Sequence, residues 1–249
     1  MKILPFRTIA LAPLLFALPV LLGLSGSPQF DQPDNRRQSR QKGWEVLFDG
    51  QNLNKWQNAT SDSIPYKGWQ IENGTLSVTS GRIGGDIITR ESFRNFELKL
   101  DFKLTESANS GIKYLVNRIK NAKTNTTSLM GIEYQLIDDF NYPEVKPDPN
   151  STMSTGAVYL LYPPQNKTLL PAGQWNQVRI VVNGKRIEHW LNGKLLVRYE
   201  RMSPDFQAKV AQSKFNDYPD YAKADSGRIL LQDHGNHVYF RSILIKRLD

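Results

Sequence analysis

The chain has no cysteine, only three histidines and four methionines among 249 residues. Without cysteine there is no disulfide, no thiol nucleophile and no thiolate metal site. The chain also lacks a Gly-rich phosphate loop and a Gly-x-Ser-x-Gly nucleophile elbow, which removes P-loop nucleotide chemistry and the common serine-hydrolase arrangement. Helical periodicity is scarce: only residues 203–214 suggest a helix, and weakly. No internal repeat and no low-complexity tract is visible.

Charge is plentiful and lopsided. The net charge is +8, which raises the question of a nucleic-acid partner. Apart from Arg36, Arg37, Arg40 and Lys42, however, the basic residues alternate with apolar ones along strand-like segments. A nucleic-acid binder concentrates its charge on one face, so this pattern reads as a solvated basic surface with no nucleic-acid partner.

The start of the chain has its own composition. Lys2 and Arg7 precede an apolar run over residues 9–24, broken by Pro13 and Pro19 and followed by Gly23, Ser25, Gly26 and Ser27. This is the layout of a secretory signal peptide over residues 1–26. The run is shorter than the ~20 apolar residues that a spanning helix needs. No cysteine follows it, so a lipoprotein anchor is excluded. There is no clean Ala-x-Ala site either, which leaves an uncleaved anchor as the alternative and as the only membrane contact expected. The expected location is exported, periplasmic or extracellular. Residues 27–42 are polar and read as a flexible linker, and residues 43–249 as one domain.

That domain is expected to be all-β. Residues 95–104 alternate strictly: Phe96, Leu98, Leu100, Phe102 and Leu104 on one face, Glu97, Lys99, Asp101 and Lys103 on the other. Such a strand is buried on one side only. Further strands are expected over 69–78, 110–118, 131–138, 156–161, 176–182, 186–191, 194–200, 227–233 and 238–248. Asn183-Gly184 and Asn192-Gly193 read as type I′ hairpin turns, because both central residues then need positive φ. They predict a three-stranded meander over 176–200. About ten short strands bounded by turn signals favour a sandwich or barrel. The polar segment 120–128 and the Pro-rich stretch 142–155 are the expected functional loops.

Within 131–138, Glu133 and Gln135 share a strand face with Ile137, while Ile132, Tyr134 and Leu136 point to the core. A carboxyl beside an amide can bind a sugar hydroxyl and move a proton, although an exposed polar face has the same pattern. Gln232 and His234 share a face in 231–235, and His234 is the kind of side chain that titrates near neutrality. A metal site from His234, Glu133 and Asp138 is conceivable, but no ligand spacing supports it. His189 and Trp190 read as packing residues. Arg241 shares a face with Tyr239 and Ile243 and could clamp a ligand or simply face solvent. Glu133 and Asp138 are five residues apart and face opposite sides of a regular strand, so they are not a ready pair for a retaining glycosidase.

Together the ordered segments carry a resemblance. Residues 43–53, GWEVLFDGQNL, with Trp56, resemble the opening of the 3-keto-disaccharide hydrolase family, formerly a domain of unknown function. In order follow Gly85-Asp86 with Thr89, Phe96-Glu97-Leu98, Asn109-Ser110-Gly111-Ile112, Gly131 to Gln135 with Asp138, Thr155-Gly156-Ala157-Val158-Tyr159, Trp175-Asn176, His189-Trp190 with Asn192-Gly193, Leu231 to Gly235, and Phe240-Arg241. Ser242 stands where the family often has Asn. The resemblance spans residues 43–248. It implies a concanavalin-like jelly-roll sandwich of two antiparallel sheets and activity on glycosides oxidised at C3. A C3 ketone acidifies the C2 proton; a base removes it, the enolate expels the glycosidic oxygen, and water adds to the enone. That chemistry needs a base, an acid and something to stabilise the enolate, which a divalent cation could supply. The resemblance makes Glu133 and His234 the proton-transfer candidates. It makes Asn109, Gln135, Tyr159, Gln232 and Arg241 substrate contacts, and Asp138 and Asp86 metal ligands or orienting groups. The implied partner is a carbohydrate small molecule. The alternatives are a non-catalytic sugar-binding module on the same fold and a laminarinase-type glycosidase, though no Glu-x-Asp-x-Glu strand is present.

Overall fold

A computed structural model describes residues 43–249, so the expected signal peptide and linker lie outside the described residues. The elements run β1 (Trp44–Phe48), β2 (Trp56–Asn58), β3 (Trp69–Glu72), β4 (Thr75–Val78), β5 (Ile87–Thr89), β6 (Phe96–Leu104), β7 (Asn109–Lys120) and β8 (Thr127–Ile137). After them come β9 (Asn176–Asn183), β10 (Arg186–Leu191), β11 (Lys194–Glu200), helix α1 (Pro204–Ala211), a 3-10 turn (Lys214–Asp217), β12 (Arg228–Leu231) and β13 (Val238–Arg247). They form two antiparallel sheets, a concanavalin-like jelly-roll sandwich. The large sheet has the order β11-β10-β9-β6-β13-β4-β3, with β1 also along β13; the small sheet has the order β2-β5-β12-β7-β8.

The alternation of β6 appears in the structure as strict in-and-out burial, and β6 sits at the centre of the large sheet between β9 and β13. Its apolar residues join Ile112, Tyr114, Ile132, Tyr134 and Leu136 of the small sheet in one core. The indole N–H groups of Trp56 and Trp69 in that core are paired, as burial demands. Trp56 Nε1 donates to the Leu47 carbonyl at 2.8 Å, and Trp69 Nε1 to the Gly85 carbonyl at 2.8 Å. His189 is a packing residue: it lies 2.9 Å from the Tyr114 hydroxyl and 3.0 Å from the Gly156 carbonyl, and burial lowers its pKa to about 4.

Several local expectations shift. The stretch 69–78 is a hairpin and not one strand: Asn73 and Gly74, both at positive φ, form the turn between β3 and β4. The meander β9-β10-β11 is present. Asn192-Gly193 has the two positive φ values of a type I′ turn. At the other turn Asn183 pairs with Arg186, so the loop is Gly184-Lys185 with only Gly184 positive, the type II′ pattern. Residues 156–161 make only single bridges, Tyr134 to Val158 and Val158 to Tyr162, at the outer edge of β8. The expected helix is α1, capped by Ser203, whose hydroxyl accepts from the Phe206 N–H at 3.2 Å.

Candidate active site

Register across the small sheet brings the polar residues of three strands onto its outward face. On β7 and β8, Gly111 pairs with Gln135 and Lys113 with Glu133. On the other side of β7, the Gln232 N–H donates to the Gly111 carbonyl at 3.0 Å, and Leu230 pairs with Lys113. Leu231 pairs with Ile87, and Gln232 and Asp86 are the next residues along those two strands. Glu133, Gln135, Lys113 and Gln232 therefore gather around Gly111.

Gly111 is the gap that lets them meet. A Cβ there would lie 2.5 Å from Glu133 Oε1 and 3.3 Å from Gln232 Oε1. A carboxylate from one neighbouring strand and an amide from the other thus lean over the same bare backbone. Lys113 completes the group, with Nζ 3.8 Å from Glu133 Oε2. Glu133 also forms part of a cleft of about 290 Å³ walled by Lys113, Met130, Lys214, Phe215 and Tyr218. The β7–β8 ladder forms one wall, and the 3-10 turn after α1 supplies the other.

The electrostatics follow from burial. Loss of water raises the pKa of Glu133; Lys113 and Lys214 pull it down and Asp86 pushes it up. Burial raises Asp86 too, against the hydrogen bond it accepts from the Asp233 N–H at 2.9 Å and the charge of Lys113. His234 moves the other way: burial first, then the Arg82 charge, lowers it, with Asp86 opposing. Burial thus draws the titrations of Glu133 and His234 toward each other, and both also feel the charges of Lys113 and Asp86.

Gln135 and Asn109 each bury a side-chain oxygen, Oε1 and Oδ1 respectively, that has no partner among the described residues. Both lie on the face of Glu133, since Asn109 pairs with Ile137. Orphaned buried acceptors are rare and costly unless a ligand or water meets them. Tyr159 lies at the rim: its N–H donates to the Glu133 carbonyl at 3.1 Å, Lys214 Nζ stands 4.7 Å from its ring centroid, and burial followed by the Glu133 charge raises its pKa.

Two expectations fail on geometry. Asp138 is not presented as a metal ligand: Oδ2 accepts from the Ser107 N–H at 2.9 Å and Asn141 Nδ2 at 2.8 Å, and Oδ1 from the Phe140 N–H at 3.2 Å. It shapes the turn after β8. Among the described residues no three His, Asp or Glu side chains are grouped to hold a metal, so Asp138 and Asp86 do not form the expected ligand set. Arg241 is not in this site either. It pairs with Asp101 at 3.1 Å on the outward face of the large sheet, across the core from Glu133. In-and-out alternation on β13 put it on an outward face, and only topology decides which sheet that face belongs to. Conversely, Lys113, Lys214 and Gly111 were not singled out for chemistry. Lys113 shares its strand parity with Gly111 and Asn109, a signal that becomes readable once register is known. Lys214 arrives through a tertiary contact and left no signal.

Comparison with known proteins is consistent with this architecture. Residues 43–246 match the family described as the 3-keto-alpha-glucoside-1,2-lyase-like domain. A 3-keto-disaccharide hydrolase of Bacteroides thetaiotaomicron is 28% identical over 230 residues, 83% of this chain and 79% of the relative. A crystal structure from Parabacteroides distasonis, described as a candidate glycosyl hydrolase, is 32% identical with a TM-score of 0.72, covering 88% of this chain and 98% of that one. A second from the same organism, described likewise, is 28% identical with a TM-score of 0.60, covering 82% and 99%.

Proposed function

Since this chain belongs to the 3-keto-alpha-glucoside-1,2-lyase-like domain family, we propose that it cleaves the glycosidic bond of 3-keto-glycosides, 3-keto-disaccharides among them, at the Glu133 face of the small sheet. The observation that carries this reading is the convergence of a buried carboxylate, an ammonium and an amide over Gly111. A binding module would need only a shallow aromatic groove, with no buried titratable group in it.

Glu133 is the base. Its raised pKa makes its carboxylate a stronger proton acceptor than an exposed glutamate. It takes the C2 proton, and the C2–H electrons form the enolate with the C3 carbonyl. Lys113, already beside Glu133, stabilises the charge that builds on that oxygen. The enolate reforms the ketone as a C1–C2 double bond forms and the C1–O bond breaks. The leaving oxygen collects a proton from the now protonated Glu133. His234, lowered by burial and the Arg82 charge, then takes a proton from water as the water oxygen adds to C1, and the resulting imidazolium passes that proton to C2. The unpartnered oxygens of Gln135 and Asn109, with Gln232, receive sugar hydroxyls. Among the described residues the carboxylates are not grouped to hold a metal, so the side chains themselves carry each proton and stabilise each charge.

Purified protein incubated in D₂O with 3-keto-trehalose or a 3-keto-β-glucoside tests this reading, with and without chelator. Free 3-keto-glucose carrying deuterium at C2 is the expected product. Absence of product across such substrates would reject the function. Full activity in both Glu133→Gln and His234→Ala would reject the site while leaving the function. Export is part of the same proposal and rests on residues 1–26; recovery of the protein only from the cytoplasm of its host would overturn it.

A further inference from the structure

The outward face of the large sheet lies across the core from Glu133 and carries a different constellation. Four cations there each stand over an aromatic ring. Lys103 Nζ lies between Tyr239 and Trp175, 4.2 and 5.1 Å from their centroids. Arg241 stands 4.1 Å from Trp175, Arg179 4.7 Å from Trp190, and Lys99 4.4 Å from Trp44. Register creates the pattern: Lys103 pairs with Tyr239, Asp101 with both Arg241 and Gln177, and Lys99 with Arg179.

Charge on these rows is only partly cancelled. Glu97 takes Arg179 at 2.5 Å and Lys99 at 3.4 Å, and Asp101 takes Arg241. Among the described residues Lys103 has no carboxylate partner, so the four cations share only Glu97 and Asp101; the nearby Glu188, which accepts from Trp190 Nε1 at 2.9 Å, is taken by Arg186 and Arg198. The four rings remain partly exposed. Each ring turns one face to its cation and keeps its other exposed surface as an apolar contact, while the cations standing over the rings offer anion contacts.

We infer that this face binds an acidic polysaccharide, a chain of sugars bearing carboxylates. Sugar rings present apolar faces that stack on the indoles, and their carboxylates suit the Arg and Lys heads. A nucleic acid fits less well. It would demand a dense excess of positive charge along one stripe, whereas here each arginine already shares a carboxylate. The surface would hold the protein on an anionic glycan while the opposite face acts on a small sugar.

The test is affinity electrophoresis of the full chain through gels containing polygalacturonate or neutral dextran, with single-stranded DNA binding followed by anisotropy. Retardation by polygalacturonate alone, relieved by salt, is expected. The Lys99→Glu/Lys103→Glu variant should bind at least about tenfold more weakly, because like charges then face the polymer. Trp175→Ala and Trp190→Ala leave the charge unchanged and should each weaken binding several-fold. All three should keep the wild-type melting temperature, which certifies folding. No retardation of the wild type, equal affinity for DNA, or undiminished binding in both tryptophan variants would each overturn the inference. The binding assay stands whether or not the small sheet proves catalytic.

Discussion

The outward faces of the two sheets are written in the same alternating pattern, yet their polar residues end in different states. On the large sheet Glu97, Asp101, Arg179 and Arg241 pair with one another at the surface, where each ion keeps contact with water. On the small sheet Glu133, Gln135 and Asn109 are buried under neighbouring segments, two of their oxygens lack partners, and Glu133 has only a 3.8 Å contact with Lys113. Strict alternation reports that a face is polar. What separates a stabilised surface from a reactive one is whether its groups are desolvated before their hydrogen bonds are complete. In the proposed function, sugar hydroxyls meet that demand.

The largest effect that would sharpen this contrast is expected at Glu133. Glu133→Gln should lower kcat by about 10²–10⁴-fold, the usual worth of a general base. It should also raise the melting temperature at neutral pH. The folded pKa of Glu133 lies above its unfolded value, so the folded state binds the proton more tightly and loses stability as pH rises through that interval. Glutamine removes this cost. A variant that loses both activity and stability would break the comparison, because it would make Glu133 a structural residue.

Next comes Gly111→Ala. Its methyl would meet Glu133 Oε1 at 2.5 Å, and displacing a reacting group by about 1 Å costs roughly 10²-fold in turnover. Steady-state kinetics should show the loss mainly in kcat. Wild-type kcat in this variant would mean that Glu133 need not sit over Gly111.

Lys113→Met should lower kcat, because the enolate loses its cation, and should also shift the pH profile. Lys113 pulls the Glu133 pKa down, so its removal should move the acidic limb of the kcat/KM profile to higher pH. A limb that stays in place would assign it to another group.

The smallest effect is expected on the large sheet. Asp101→Asn breaks a partly buried pair with Arg241; burial already opposes the Asp101 charge, so the loss of the pair is largely offset and stability should change by no more than about 1 kcal/mol, with turnover unaltered. Urea denaturation and the same kinetic assay check both; a large loss of activity would mean that the two faces are coupled.

Much of this was legible beforehand, and the remainder was hidden for identifiable reasons. The alternation of β6 and the parity of Glu133 and Gln135 could be read directly, because side-chain direction in a strand is a local property with a period of two. The Asn192-Gly193 turn could be read because its backbone demands are local as well. The Asn73-Gly74 hairpin carried the same signal and was absorbed into a single expected strand. The misplacement of Arg241 had another cause. Its block in the sequence lies seven residues after His234, but the chain passes from the small sheet to the large one between β12 and β13. Asp138 looked like a ligand because a carboxylate at a strand end has the same composition whether it binds an ion or caps a turn.

The sequence by itself determined that this domain is built of alternating strands, and which residues of each strand avoid the core. Both follow from the short-range geometry of the extended chain. Only the tertiary structure decided which outward residues would be neighbours. Register set Lys113 against Glu133 and put bare Gly111 beneath Glu133 and Gln232, while the 3-10 turn brought Lys214 over the edge of β8. Those contacts join residues far apart in the chain. The shift in the Glu133 pKa depends on the distance and burial they create, and neither is written in any one segment.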